Sequence, residues 1–280
     1  MTTEKEVEMM DLAEKLEQMK KNGTQRSIGE DSIRCRMCND TGWVLYKEIY
    51  NGIECEMARE CQCGIISRKC MQGRLSFAQM PDKYSSLCMM DFDVKWYQNS
   101  DKNVAENIKK VMTQYIGNYF NLDGMGLYFF SPTKGTGKTR AAAIVANELM
   151  KKNVDVRFTT SVAILEEIKK TFNGDGKEDI LDELKKVDVL VIDDFGTEKV
   201  TKWRNETFYS IIDYRYTSKR PTIFTSNCSI KDLEDAEYDS RITSRIKEMC
   251  YMVPFPATSV RDKKAHENQM QMNRWIGDVK

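Results

Sequence analysis

Residues 131–139, S-P-T-K-G-T-G-K-T, follow a short apolar run and precede a stretch of helical pattern that reaches Met150. A glycine-rich turn between a strand and a helix aims backbone N–H groups, and the positive end of the helix dipole, at one spot. A phosphate group suits such a spot. Gly135 and Gly137 permit a tight wrap that side chains would obstruct. Lys138 stands where it reaches β- and γ-phosphates, and the Thr139 hydroxyl where it ligates Mg²⁺. Thr136 and Arg140 flank them as further candidate nucleotide contacts. One position departs from G-x-x-x-x-G-K-[ST]: Pro132 replaces the first glycine. Proline loses an N–H and fixes φ, but this residue lies at the strand exit, where neither loss must be fatal.

A turn of this kind alone is weak evidence, and a second motif strengthens it. Residues 187–196, V-D-V-L-V-I-D-D-F-G, form an apolar run ending in two acids, with Asp193 55 positions beyond Lys138. Within it, 189–192 is apolar at every position, as suits a parallel strand buried on both faces. Adjacent carboxylates at the end of a buried strand repel each other unless a cation lies nearby. Asp193 is therefore expected to help hold Mg²⁺, and Asp194 to orient or deprotonate an attacking water. The run 221–226 is followed directly by Asn227, which places this amide at the same crevice of a parallel sheet, within reach of a γ-phosphate or that water. Further on, R-I-T-S-R-I sets Arg241 and Arg245 one helical turn apart. They form either a solvated helix face or the source of an arginine finger for a neighbouring subunit.

The rest of the pattern supports a layered α/β fold. Strands are expected at 127–130, 154–159, 189–192, 221–226 and 249–255. Helices are expected at 102–120, from the loop to Met150, from Ser161 as a cap to Phe172, up to Val187, and at 203–218 and 238–248. Such alternation predicts a parallel sheet covered by helices on both faces. Forty-three basic residues balance forty-three acidic ones, so any contact with DNA must be a local patch. Lys169, Lys170, Lys185 and Lys186 are candidates, although a solvated helix face explains them better. No apolar stretch approaches the roughly 18–20 residues that span a bilayer, and M-T-T-E-K-E-V-E is too acidic for a signal peptide. A cytoplasmic location without membrane contact is expected.

Six of nine cysteines lie between Cys35 and Cys70. C-R-M-C at 35–38, followed by N-D-T-G-W, reads as half of a zinc knuckle. Cys61 and Cys63 in E-C-Q-C-G would complete a Cys₄ site after a hairpin of 44–50 and 53–57. Cys55 and Cys70 are spare, and Cys55 fits the ligand spacing less well. Cys88, Cys228 and Cys250 read as ordinary thiols, and His266 as a surface residue. Residues 4–22 have the pattern of an amphipathic helix, which either packs on its own domain or docks on a partner. A polar linker at 22–31 and a second linker reaching about Asp82 leave an N-terminal part at 1–75 and a second domain at 76–280.

From about Met80 to Arg261 these motifs resemble, in order, the helicase-loader branch of the AAA+ ATPases, the DnaC and DnaI proteins, with the related IstB transposition helpers. The resemblance includes M-P-D-K-Y at 80–84, I-D-D-F-G-T-E at 192–198 and I-I-D-Y-R-Y at 211–216. It continues through P-T-I-F-T-S-N at 221–227, R-I-T-S-R-I at 241–246 and S-V-R at 259–261. It implies that Asn227 is sensor 1, that Arg245 rather than Arg241 is the finger, and that Arg261 is a sensor 2 arginine touching the γ-phosphate. It also implies an AAA+ sheet, with a reduced lid because only 53 residues follow Asn227. Loaders resembling DnaI carry a zinc module of this kind. The implied function is a slow, Mg²⁺-dependent, assembly-stimulated ATPase that loads a replicative DNA helicase hexamer and binds single-stranded DNA. Its copies would assemble side by side with ATP between subunits. The alternatives are an IstB-like ATPase regulator of transposition and a zinc-bearing adaptor with a vestigial ATPase. The intact Lys138, Asp193 and Asp194 argue against the adaptor.

Overall fold

The computed structural model describes residues 35–50, 53–170 and 177–277. The expected helix at 4–22, the linker at 22–31 and the N-G-D-G break at 173–176 lie outside them. Contacts divide the chain into two units, Met1–Cys70 and Met71–Lys280.

In the first unit, β1 (Trp43–Tyr50) and β2 (Ile53–Glu60) pair antiparallel, from Trp43 opposite Glu60 to Tyr50 opposite Ile53. Cysteine turns precede and follow this hairpin. Asn39 and Asp40 adopt φ of 47° and 61°, a left-handed region that Asn and Asp enter more readily than other side chains. The Asp40 carboxylate also accepts the Cys35 N–H at 2.9 Å. These two roles account for N-D after the first cysteine pair. The segment read as a linker is instead helical: α1 (Ile65–Ala78) covers much of it. Ala78 is its only fully buried residue, so the sequence there carries no apolar stripe to announce a helix.

The second unit holds five parallel strands: β3 (Gly126–Phe130), β4 (Val156–Thr160), β5 (Val189–Phe195), β6 (Thr222–Ser226) and β7 (Cys250–Pro254). Their order is β4-β5-β6-β3-β7. The helices are α2 (Asp82–Ser85), α3 (Ser100–Asn118), α4 (Lys138–Lys151), α5 (Ser161–Lys170), α6 (Lys177–Lys186), α7 (Lys202–Thr217), α8 (Ile230–Asp235), α9 (Ser240–Met249) and α10 (Val260–Ile276). Strand pleating sorts the core into two layers. Leu127, Phe129, Val156, Phe158, Val189, Val191 and Ile223 pack with α3 and α4. Tyr128, Leu190, Ile192, Phe195 and Phe224 pack with α5, α6, α7 and α9. Helices thus cover both faces, as the alternation predicted.

Three details differ from the sequence reading. Thr160, not Ser161, caps α5: its hydroxyl accepts the Ala163 N–H at 3.0 Å, and the Ser161 hydroxyl is engaged elsewhere. Both α8 and the 17-residue α10 were unforeseen. No residue of α10 is fully buried, so it too lacks the periodic stripe that reveals a helix. Arg215 on α7 is fully buried and donates to the carbonyls of Leu184, Lys185, Val187, Asp188 and Pro221 and to the Thr222 hydroxyl, at 2.7–3.3 Å. It ties the end of α6 to the starts of β5 and β6. No described helix is long and apolar enough to cross a membrane.

Candidate functional site

The sheet order assembles the site. Ser226 at the end of β6 is in register with Phe130 of β3 on one side and Phe195 of β5 on the other. The loop after β3, the acids of β5 and Asn227 therefore emerge side by side at the carboxyl ends of adjacent strands. The Lys138 ammonium closes the group, donating to the Ser131 carbonyl at 3.1 Å, the Thr133 carbonyl at 3.0 Å and Asn227 Oδ1 at 2.9 Å. Burial pulls this lysine down to about 8, against the opposing pull of Asp194 and Asp193, while the nearby Arg261 charge adds to the depression. A cation so placed, carrying three donors, suits an anionic ligand.

The two acids occupy different environments. The register between β5 and β6 slips between Ile192 and Phe195, so Asp193 and Asp194 together face Thr225. This is a β-bulge, a feature frequent beside active sites. Thr225 serves both residues: its hydroxyl donates to Asp193 Oδ1 at 2.5 Å and accepts the Asp194 N–H at 3.0 Å. Asp193 stays buried, and burial raises its pKa against the hydrogen bonds from Thr225 and the Thr139 hydroxyl. Asp194, at φ 53°, turns its side chain to solvent. One acid thus lies beside the Thr139 hydroxyl, as a metal ligand should, and the other is free to meet water.

Packing shapes the phosphate loop from outside. Gly137 lies at φ 98°, and a Cβ there would come within 2.9 Å of the Tyr97 hydroxyl, which itself donates to the Thr136 carbonyl at 2.6 Å. Gly135 lies at φ 77° and accepts the Val260 and Arg261 N–H groups of α10 on its carbonyl, at 2.9 and 3.1 Å. A Cβ on Gly135 would meet Ser259 and Arg261 at 2.8 Å. Pro132 is exposed, and the N–H that the Ser131 hydroxyl accepts is that of Thr133, at 3.3 Å.

The remaining candidates scatter. Arg261 lies at the start of α10, exposed, and close enough to Lys138 for its charge to act there. Arg140 turns to Asp91, bonding the carbonyl at 3.0 Å and pairing with the carboxylate at 3.5 Å. Arg241 pairs with Asp239 at 2.6 Å and stacks over Tyr209 at 4.2 Å. Arg245 pairs with Asp213 at 2.5 Å, donates to the Tyr209 hydroxyl, and sits over the Tyr209 and Tyr216 rings. Both finger candidates are thus held on the surface formed by α7 and α9. Thr225, Tyr97 and Glu198 belong to the site region but were not singled out in the sequence. Glu198 is buried, with Ser161 and Tyr238 as hydroxyl partners. Its position within I-D-D-F-G-T-E was the only signal.

In the first unit the Sγ atoms of Cys35, Cys38, Cys61 and Cys63 all lie within 4.8 Å of one another. Cys35 and Cys61 are 3.7 Å apart, and Cys38 and Cys63 3.6 Å. A tetrahedron with Zn–S bonds of about 2.3 Å has edges of roughly 3.8 Å, so the donor set fits zinc. Backbone N–H groups of Cys38 and Met37 hold the Cys35 thiol down at about 7. The Cys63 N–H favours the Cys61 thiolate, but burial and the three neighbouring sulfurs outweigh it and push that thiol up to about 12. Four sulfurs this close become thiolates together only around a cation.

Comparison with known proteins agrees with this geometry. The family described as IstB-like ATP binding protein matches residues 62–268. The replicative helicase loader DnaC of Escherichia coli (strain K12) is 31% identical over 133 residues, which are 47% of this chain and 52% of that protein. The chain thus spans about half the length of that relative. The phage-like element PBSX protein XkdC of Bacillus subtilis (strain 168) is 27% identical over 224 residues, 77% of this chain and 79% of that protein. A crystal structure of DnaI superposes with a TM-score of 0.54 at 28% identity, covering 63% of this chain and 95% of that one. Phosphate loop, acidic strand end and sheet order all fall within the matched region, and the chain belongs to the IstB-like ATP binding protein family.

Proposed function

We propose that this protein is an ATP-dependent loader of a replicative DNA helicase, with an ATPase that acts as a switch between subunits. The carrying observation is the meeting of Lys138, Asn227 and the bulged Asp193–Asp194 pair at one crevice, in a chain similar to DnaC and DnaI. Gly135, Thr136, Gly137, Lys138 and Thr139 would surround the phosphates, and Arg140 would steady the Asp91 segment beside them. Thr139 and Asp193 would hold Mg²⁺, which supplies charge neutralisation on the phosphates. Asp194 would take a proton from the attacking water, with Asn227 orienting that water and Arg261 facing the γ-phosphate. Arg245 of a neighbouring copy would complete the site. The helicase hexamer and single-stranded DNA are the proposed partners, and the similarity to loaders favours this reading over a transposition regulator.

Lys138→Ala is expected to weaken ATP binding at least tenfold, because it removes the charge facing the phosphates. Asp194→Asn should bind ATP normally and lose roughly 10²-fold or more in kcat, since an amide takes no proton. Nucleotide titration and steady-state ATPase assays measure both. Equal loss of binding in the two variants would make Asp194 a metal ligand instead.

Cys35, Cys38, Cys61 and Cys63 would hold one structural Zn²⁺ per chain. Metal analysis of purified protein should find about one zinc, lost on Cys61→Ser with Cys63→Ser, while ATP binding persists because the second unit has its own core. Zinc retained by the double variant would reject these ligands.

A further inference from the structure

We infer that Glu198 is a positioning residue that locks Asp194 in its water-facing conformation and links it to the helix carrying Arg241 and Arg245. The inference rests on the reading of Asp194 as the residue that orients or deprotonates water. Asp194 sits at φ 53°, a left-handed conformation that is costly for a non-glycine residue and persists only where surroundings hold it. Its carbonyl is held by the Thr197 hydroxyl at 2.9 Å and the Ser161 hydroxyl at 3.1 Å. Ser161 donates at the same time toward Glu198 Oε2 at 2.6 Å, so its single hydroxyl proton is shared between the Glu198 carboxylate and the Asp194 carbonyl. The other carboxylate oxygen, Oε1, accepts the Tyr238 hydroxyl, and Tyr238 immediately precedes Asp239, the cap of α9. Asp239 accepts the Arg241 N–H at 2.9 Å and pairs with the Arg241 guanidinium. A short chain of bonds therefore runs from the Asp194 turn through Ser161, Glu198 and Tyr238 to the start of α9.

The chemistry of the bridge favours positioning over filling. Glu198 is 8% exposed, and its two bonded partners are hydroxyls rather than cations. A carboxylate held in this way carries a desolvation cost that an apolar side chain of the same size would avoid. In return its two oxygens are strong, directional, charge-assisted acceptors that join its own segment to those of Ser161 and Tyr238. Tyr238 shows the same coupling: burial and the adjacent Glu198 carboxylate both raise its pKa, so it remains a hydrogen-bond donor. Movement of α9 on assembly would then be felt at Asp194, and the state of Asp194 at the arginines.

The test compares wild type, Glu198→Ala, Glu198→Gln, Ser161→Ala and Tyr238→Phe by steady-state ATPase and by amide hydrogen exchange. Glu198→Ala should lower kcat roughly 10²-fold, the effect of a small misplacement of a reacting group, and leave KM within about twofold. Glu198→Gln retains an acceptor and a shape that fits, and should recover at least about tenfold of that loss. Exchange of the amides at 194–197 and 241–243 should quicken together in Glu198→Ala, with those of β3 unchanged. Should Glu198→Ala fail to fold, the two single-hydroxyl deletions carry the test: Ser161→Ala should loosen 194–197, and Tyr238→Phe 241–243. A wild-type kcat in Glu198→Ala, with Asp194→Asn inactive, would overturn the positioning role. A wild type that hydrolyses no ATP under assembling conditions would overturn the reading of Asp194. The exchange data then still decide the link, and unchanged exchange at both segments would overturn it.

Discussion

Arg215→Met is expected to destabilise the second unit by about 3–5 kcal/mol, the range found when one partner of a buried ionic or hydrogen-bonded network is removed. The reason is the number of acceptors that depend on one guanidinium. Five carbonyls and one hydroxyl converge on Arg215, from the end of α6, the start of β5 and the start of β6. Methionine matches the length but donates nothing, so buried carbonyls would lose their partner. For a unit of this size the loss should lower Tm by roughly 10 °C or more. Arg215→Lys should also destabilise, because a single ammonium cannot span a fork of contacts on both sides of the guanidinium. Calorimetric unfolding measures both effects, and a Tm within about 2 °C of wild type for Arg215→Met would contradict this role.

The second large effect is expected at Arg245. An arginine finger serves the site of a neighbour, so Arg245→Ala protein should bind ATP normally and hydrolyse it roughly 10³-fold more slowly. Lys138→Ala protein should be inactive for the opposite reason: its loop is impaired, but its finger is intact. Blending the two should restore activity. In an equal blend with random head-to-tail contacts, about one interface in four pairs an intact loop with an intact finger. Recovery should rise with concentration, and with single-stranded DNA or helicase if these promote assembly. In the isolated chain Arg245 is paired with Asp213, so assembly must draw it away from α7. No recovery under assembling conditions, with both variants folded and associating, would contradict a finger in trans. Recovery with Arg241→Ala in place of Arg245→Ala, and not with Arg245→Ala, would identify Arg241 as the finger.

The phosphate loop and the acidic strand were legible because each combines a period with chemistry: glycines between strand and helix, and an apolar run that stops at two acids. Helices on both faces followed from the β/α alternation. The bulge was not legible, because register depends on the partner strand, and nothing in residues 189–195 shows that Thr225 will face two residues. For the same reason β5 runs to Phe195 rather than ending at Ile192, and one acid is buried while the other is exposed. Helices α1 and α10 escaped because helical pattern reading detects a buried stripe, and each packs too little of its surface to need one. Glu198 follows Gly196 and Thr197, where a carboxylate reads as a solvated turn residue; only the fold brings Ser161 and Tyr238 to it. The clustering of Cys35, Cys38, Cys61 and Cys63 was legible from spacing, since two short turns flanking a hairpin must meet at its open end.

The central claim, ATP-dependent loading of a replicative helicase, is tested most directly by counting helicase hexamers placed on closed circular single-stranded DNA. The circle has no end to thread, so a hexamer must be opened or held open to encircle it. The account predicts that the purified chain binds the hexamer and increases the number of loaded circles when ATP is present. It also predicts that Lys138→Ala protein, given the same helicase and DNA, leaves loading at the level of helicase alone. A chain that hydrolyses ATP yet neither binds the hexamer nor changes the number of loaded circles would contradict the account.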